Sequence, residues 1–141
     1  MIRGLIWRAA ELIRRIAPGA ADDSAGGRTG LGQRGERSAE RYLRRRGYRI
    51  LGRNFRAAGA EIDLIAADGD TLVFIEVKAR RSLTAGTPLE AVDARKQNRI
   101  RRAAQIYAAR SGAHERPIRF DVVAIRWDGR NKQIELVRDA F

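Results

Sequence analysis

The sequence predicts one α/β domain with the element order helix, three strands, helix, two strands. Three observations predict it. Apolar residues recur at helical spacing over 34–46 and 87–110, and alternating apolar runs are punctuated by Asp68-Gly69 and Asp128-Gly129. The run Leu72-Val73-Phe74-Ile75 is apolar at every position. Alternation with a period of two buries one face of a strand, whereas a run apolar on both faces marks a central, covered strand.

Each element has a local reason. In the first helix Ala39 and Leu43 share a stripe that Glu36 extends by one turn, and Gly47 occupies the natural position just past the end. Tyr48 to Phe55 reads as the first strand, and Glu61 to Lys78 as a hairpin, because Asp-Gly between alternating runs favours a two-residue loop. With Asp68-Gly69 as that loop, Asp63 pairs with Phe74 and Glu61 with Glu76. Thr87 suits a helix N-cap, Pro88 the first helical position and Glu90 the capping-box position, and this second helix runs to about Arg110. Arg119 to Trp127 and Lys132 to Val137 complete the strands.

These elements occupy residues 33–141. Ahead of them, residues 1–17 read as a basic amphipathic helix, with Ile2, Leu5, Ile6, Leu12, Ile13 and Ile16 at helical spacing among arginines, and residues 18–32 as a flexible Gly/Ala/Ser/Asp linker. Charges at Arg8 and Glu11 interrupt the apolar core that a signal peptide needs. Two roles stay open for the helix: packing on the domain, or touching a membrane or a partner.

Composition narrows the chemistry. The chain has 141 residues, enough for one core, and 44% of them are hydrophobic. It lacks cysteine, which excludes disulfides and thiolate metal sites, and its one histidine, His114, excludes a His-pair or three-His metal site. The 29 basic residues outnumber the 17 acidic, giving a formal net charge of +12. Such a field attracts polyanions, nucleic acid first and an acidic membrane surface second. No apolar run approaches the ~20 residues that a transmembrane helix needs, so a cytoplasmic location is expected.

The chemistry-bearing residues lie in the hairpin. Strict alternation projects Glu61, Asp63, Glu76 and Lys78 from one face, at the end of the covered strand. Carboxylates gathered at the edge of a core repel one another unless a cation joins them. Oxygen ligands without His or Cys suit Mg²⁺ or Mn²⁺. The competing reading is a plain salt bridge between Lys78 and the acids at a solvated sheet edge. Lys96 interrupts the apolar stripe of Leu89, Val92, Ile100, Ala103 and Tyr107. It either snorkels to solvent or reaches the acids or their phosphate. Arg95, Arg99 and Arg102 lie on a neighbouring face, as phosphate contacts or as an ordinary solvated surface. Glu36 either approaches the acids or starts a solvated helix.

Asp63, twelve intervening residues and Glu76-Val77-Lys78 resemble the PD-(D/E)xK nuclease signature. Over residues 33–141 the chain is similar to the YraN-type family of small bacterial proteins, related in fold to archaeal-type Holliday-junction resolvases. The stretches that carry the resemblance include Gly35-Glu36, Tyr42-Leu43, Gly47-Tyr48, Arg53-Asn54-Phe55-Arg56, Glu61-Ile62-Asp63-Leu64-Ile65, Leu72 to Lys78, Glu90-Ala91-Val92, Lys96, Arg119 to Val123 and Ala140-Phe141. One departure is that Ala60 separates Gly59 from Glu61, where the family has Gly directly before its Glu-Ile-Asp. The resemblance implies a restriction-endonuclease-like αβββαβ core with a mixed central sheet flanked by helices. It also implies a metal-dependent endonuclease that acts on DNA, including branched or junction DNA, in repair or recombination. Asp63 and Glu76 would hold Mg²⁺ or Mn²⁺, Lys78 would act on the attacking water, and Glu36 would be an accessory carboxylate. Glu61 is an outer acid or a structural residue. A homodimer would suit an enzyme that cuts two strands. The alternative is a non-catalytic nucleic-acid-binding module that keeps the fold.

Overall fold

The computed structural model describes residues 30–81 and 94–141. The expected helix over 1–17, residues 18–29 of the linker and the helix start at Thr87, Pro88 and Glu90 lie outside the described residues, as do Leu89 and Val92. Helix α1 spans Gly30–Arg45, beginning inside the stretch read as linker. Strands β1 (Arg49–Ala57), β2 (Ala60–Asp68) and β3 (Thr71–Arg81) follow, then helix α2 (Ala94–Arg110) and strands β4 (Ile118–Asp128) and β5 (Asn131–Val137).

The five strands form one mixed sheet in sequence order, parallel between β3 and β4 and antiparallel elsewhere. Helix α1 covers one face, where Ala39 and Leu43 meet Leu64, Ala66, Val73, Ile75, Val123 and Ile125. Helix α2 covers the other, where Ile100, Ala103, Ala104 and Ala108 meet Ile62, Ile65, Leu72 and Phe74. Both faces of Leu72 to Ile75 are therefore dry, as the unbroken apolar run requires. The architecture is the restriction-endonuclease-like αβββαβ core carrying one further strand. No helix among the described residues is long and apolar enough to cross a membrane.

Both helices stop in the same way. Gly47 takes φ +89° while its N–H donates to Arg44 O and the Tyr48 N–H donates to Leu43 O. Gly112 repeats this after α2, with Gly112 N–H on Ala109 O and Ala113 N–H on Ala108 O. This paired closure satisfies the last carbonyls and asks for a residue without a Cβ at the left-handed position.

The hairpin register differs from the expected one. Asp68 pairs with Thr71, Ile65 with Phe74 and Leu64 with Ile75, so the two-residue loop is Gly69-Asp70. The cause is the positive φ of Gly69 (+58°), which places glycine at the first central position of the turn rather than the second. The β4–β5 hairpin does the same, with Asp128 opposite Asn131 and φ +58° at Gly129.

The β1–β2 loop is Ala58-Gly59, closed by Ala57 opposite Ala60, and both loop residues have positive φ (+52° and +73°). A turn with two such residues favours Asn-Gly, whereas a left-handed alanine costs roughly 1–2 kcal/mol. Ala58→Asn is accordingly expected to stabilise the fold by about 1 kcal/mol. A urea melt would show this as a higher midpoint at unchanged slope; an unchanged midpoint would mean that Ala58 carries no strain.

Candidate active site

The core of the sheet ends where charge begins. After Ile75, strand β3 continues as Glu76-Val77-Lys78 and remains paired with β4, from Glu76 opposite Val122 to Lys78 opposite Ala124. Its pairing with β2 stops at Leu64 opposite Ile75. The Asp63 side chain takes over there, its Oδ2 accepting the Val77 N–H at 2.8 Å. A side-chain oxygen thus replaces a ladder carbonyl and holds Asp63 beside Glu76.

Glu76 is the hub of the cluster. Its Oε1 accepts Lys78 Nζ at 2.9 Å and Lys96 Nζ at 3.0 Å. Its Oε2 is buried without a hydrogen-bond partner. Lys78 reaches Glu76 because residues two apart in a strand share a face. Lys96 reaches it from the first turn of α2, about one turn before the buried Ile100. Of the two alternatives open for Lys96, the structure shows contact with the acid.

The two carboxyls are tuned in opposite directions. Burial pushes Asp63 up to about 7, opposed by the Val77 N–H, reinforced by the charges of Glu76 and Glu36, and eased by Lys78. Burial also works against charge on Glu76, but Lys78 and Lys96 outweigh it and hold that carboxyl below the usual range. For Lys96, Glu76 outweighs burial and keeps the ammonium above the ordinary lysine value. Near neutrality the site therefore holds one ionised carboxylate and one that is close to half-protonated. A divalent cation binds ionised carboxylates and would displace the Asp63 proton.

Glu36 enters through packing. A Cβ on Gly35 would fall 2.6 Å from Ala79 Cβ, so α1 lies directly against the end of β3 and brings the next residue into the electrostatic field of Asp63. The Gly35-Glu36 pair is visible in the sequence, but the close packing that makes the glycine necessary is not.

Glu61 is not brought together with the other acids. It is exposed and accepts Arg56 Nε at 2.8 Å, one rung from the loop of the β1–β2 hairpin. The expected row of three acids and a lysine assumed unbroken alternation along β2. Ile62 instead packs on the α2 side and Leu64 on the α1 side, so the strand turns over at Asp63. Arg95, Arg99 and Arg102 are exposed along α2. The Arg99 stem lies over the β1–β2 loop, its Cδ 3.7 Å from where a Gly59 Cβ would stand.

A family model described as "Uncharacterised protein family UPF0102" matches residues 35–125. The chain belongs to the UPF0102 family. This is the YraN-type family that the sequence resembles, restriction-endonuclease-like in fold. Among its relatives, the UPF0102 protein of Rhodococcus opacus (strain B4) is 54% identical over 112 residues, covering 79% of this chain and 95% of its own length. The UPF0102 protein of Symbiobacterium thermophilum is 50% identical over 113 residues, with 79% and 95% covered. That of Moorella thermoacetica is 48% identical over 113 residues, with 78% and 93% covered. The UPF0102 match includes Glu36, Asp63, Glu76, Lys78 and Lys96, and it ends within β4.

Proposed function

We propose that this UPF0102 protein is a metal-dependent endonuclease that hydrolyses phosphodiester bonds in DNA, including branched or junction DNA. The observation that supports it best is the Asp63–Glu76 pair: two half-buried carboxyls meet beside two lysines, and Glu76 Oε2 lies buried without a protein partner. Oxygen donors without histidine or cysteine fit Mg²⁺ or Mn²⁺. Asp63 and Glu76 would hold the cation, which when bound supplies Lewis acidity toward the phosphate.

The chain's own residues then divide the work. Asp63 is fixed by the Val77 N–H, so its free oxygen keeps one direction. Lys78 is paired with Glu76 and would orient an attacking water and offset charge that develops on the phosphate. Lys96 reaches Glu76 from the helix side and would face the non-bridging phosphate oxygens. Glu36 adds negative charge and favours retention of the cation. The net charge of +12 and the exposed Arg95, Arg99 and Arg102 supply a sequence-independent attraction to the backbone.

One observation favours a non-catalytic nucleic-acid-binding module instead. Glu76 Oε1 is already occupied by two ammonium groups, the closed ion pair that a purely structural site would keep. A cleavage panel separates the two readings, with junction, flap, single-stranded and duplex substrates in Mg²⁺ and in Mn²⁺. Cleavage is expected to need the metal and to fall by at least roughly 100-fold in Asp63→Ala and in Lys78→Ala. Tight DNA binding with no cleavage of any substrate in either metal would reject the enzyme.

A further inference from the structure

Strands β1 and β2 turn over at the same rung. Arg53 binds Glu40 of α1 through its guanidinium, whereas Phe55 stands edge-on to Tyr107 of α2, with ring centroids 5.2 Å apart. In a regular strand residues two apart share a face; here they lie on opposite sides of the sheet. Leu64 and Ile62 are divided between the two sides in the same way. The pairing runs Arg53 opposite Leu64 and Phe55 opposite Ile62. Asn54 and Asp63 are therefore the rung at which both strands invert.

Asn54 has φ +54°, outside the conformations of a β-strand and in a region that asparagine tolerates better than most residues. Its Oδ1 is buried without a hydrogen-bond partner, as is Glu76 Oε2. Asp63 lies between the residues that carry these two atoms. Asn54 faces it on the β1 side, and Glu76 occupies the next β3 position after the last β2–β3 pair, Leu64 with Ile75. With neighbouring strands ~4.8 Å apart, Asn54, Asp63 and Glu76 form a row of residues across β1, β2 and β3. Among the described residues no three Asp, Glu, His or Cys side chains converge as a metal cluster. A cation held by two of these acids has room for a further oxygen donor of another kind.

We propose that Asn54 is that donor: its side-chain carbonyl completes the divalent-cation set with Asp63 and Glu76. The proposal rests on the cation-dependent reading above and adds a ligand to it. A neutral carbonyl is a normal oxygen ligand for hard cations. It also adds a donor without a third negative charge beside two carboxyls that already repel. Strand inversion occurs at the rung where Asn54 stands opposite Asp63.

The test is Mn²⁺ binding to the full-length chain without nucleic acid, by calorimetry and by the loss of the free-ion electron paramagnetic resonance signal. Four proteins are compared: the unaltered chain, Asn54→Gly, Asn54→Asp and Asp63→Asn. Glycine accepts the positive φ without strain, and a melt without metal checks that the fold is kept. Asn54→Gly is expected to weaken Mn²⁺ roughly tenfold or more, and Asn54→Asp, which restores an oxygen, to bind at least as tightly as the unaltered chain. Equal affinity of Asn54→Gly and the unaltered chain, with Asp63→Asn impaired, would overturn the Asn54 assignment alone. So would an Asn54→Asp variant as weak as Asn54→Gly. Equal affinity of the unaltered chain and Asp63→Asn would overturn the cation site itself and Asn54 with it.

Discussion

Asp63→Asn is expected to stabilise the cation-free protein, and to do so more at about pH 8 than at about pH 4. The folded chain holds the Asp63 proton up to about pH 7, against an ordinary 3.8 for the unfolded chain. Below both values each state is protonated and Asp63 contributes no pH dependence. Between them the folded state keeps a proton that the unfolded state has released, so stability falls by up to ~1.4 kcal/mol per pH unit as pH rises. Above about 7 both states are ionised and the loss levels off. Asparagine removes the ionisation while keeping an oxygen for the Val77 N–H. The advantage at alkaline pH should be on the order of 2–3 kcal/mol, once water reaching a half-buried carboxyl is allowed for. For a domain of this size that is a melting-temperature rise of roughly 10 °C. A cation acts in the opposite sense: Mg²⁺ should raise the melting temperature of the unaltered chain at alkaline pH and leave Asp63→Asn unmoved. A pH-independent difference between the two proteins would show that Asp63 ionises normally.

Legibility in the sequence followed the range of the interactions. The end of α1 was readable because Gly47 acts within one turn, and β3 was readable because burial on both faces leaves an unbroken apolar run. The hairpin loops were found but displaced by one residue, since Asp-Gly marks a turn without saying which central position takes the positive φ. That displacement moved Asp63 from opposite Phe74 to the rung next to Leu64 and Ile75, yet kept it on the same face as Glu76, because it changes the pairing by an even number. Inversion of β1 and β2 at Asn54 and Asp63 had no local signal that a period-two reading could use, and Glu61 was misplaced for that reason. Lys96 was legible as an anomaly, a cation on an apolar stripe. Asp121 gives the same kind of signal, an acid between Phe120 and Val122-Val123, but its partners are set by tertiary packing and the sequence did not name them.

That buried acid yields the second large effect. Asp121→Ala is expected to cost about 3–5 kcal/mol, enough to unfold much of the population of a marginally stable domain. Asp121 is fully buried and its two oxygens take Arg119 Nε and Nη2, both at 2.9 Å; Oδ1 also accepts the Asp139 N–H at 2.9 Å. Arg119 continues to Asp68 and to the Tyr48 hydroxyl, each at 3.0 Å, and its guanidinium is held above its ordinary range, chiefly by the Asp121 hydrogen bonds. Losing Asp121 takes from this arginine its bidentate partner, leaving it only Asp68 and the Tyr48 hydroxyl, and unties the tail at Asp139, leaving it held by Ala140 N–H to Phe120 O at 2.7 Å and by Phe141 stacked on Phe120. Asp121→Leu with Arg119→Met should cost clearly less than the sum of the two single changes, because removing both charges leaves none uncompensated. Urea melts of the four proteins give the coupling, and additive losses would mean that the pair is not the source. Along β2 the network sits at the Asp68 end, roughly 15 Å from Asp63. Chain that still folds in Asp121→Ala should therefore bind Mn²⁺ as the unaltered protein does, which separates loss of the fold from loss of the site.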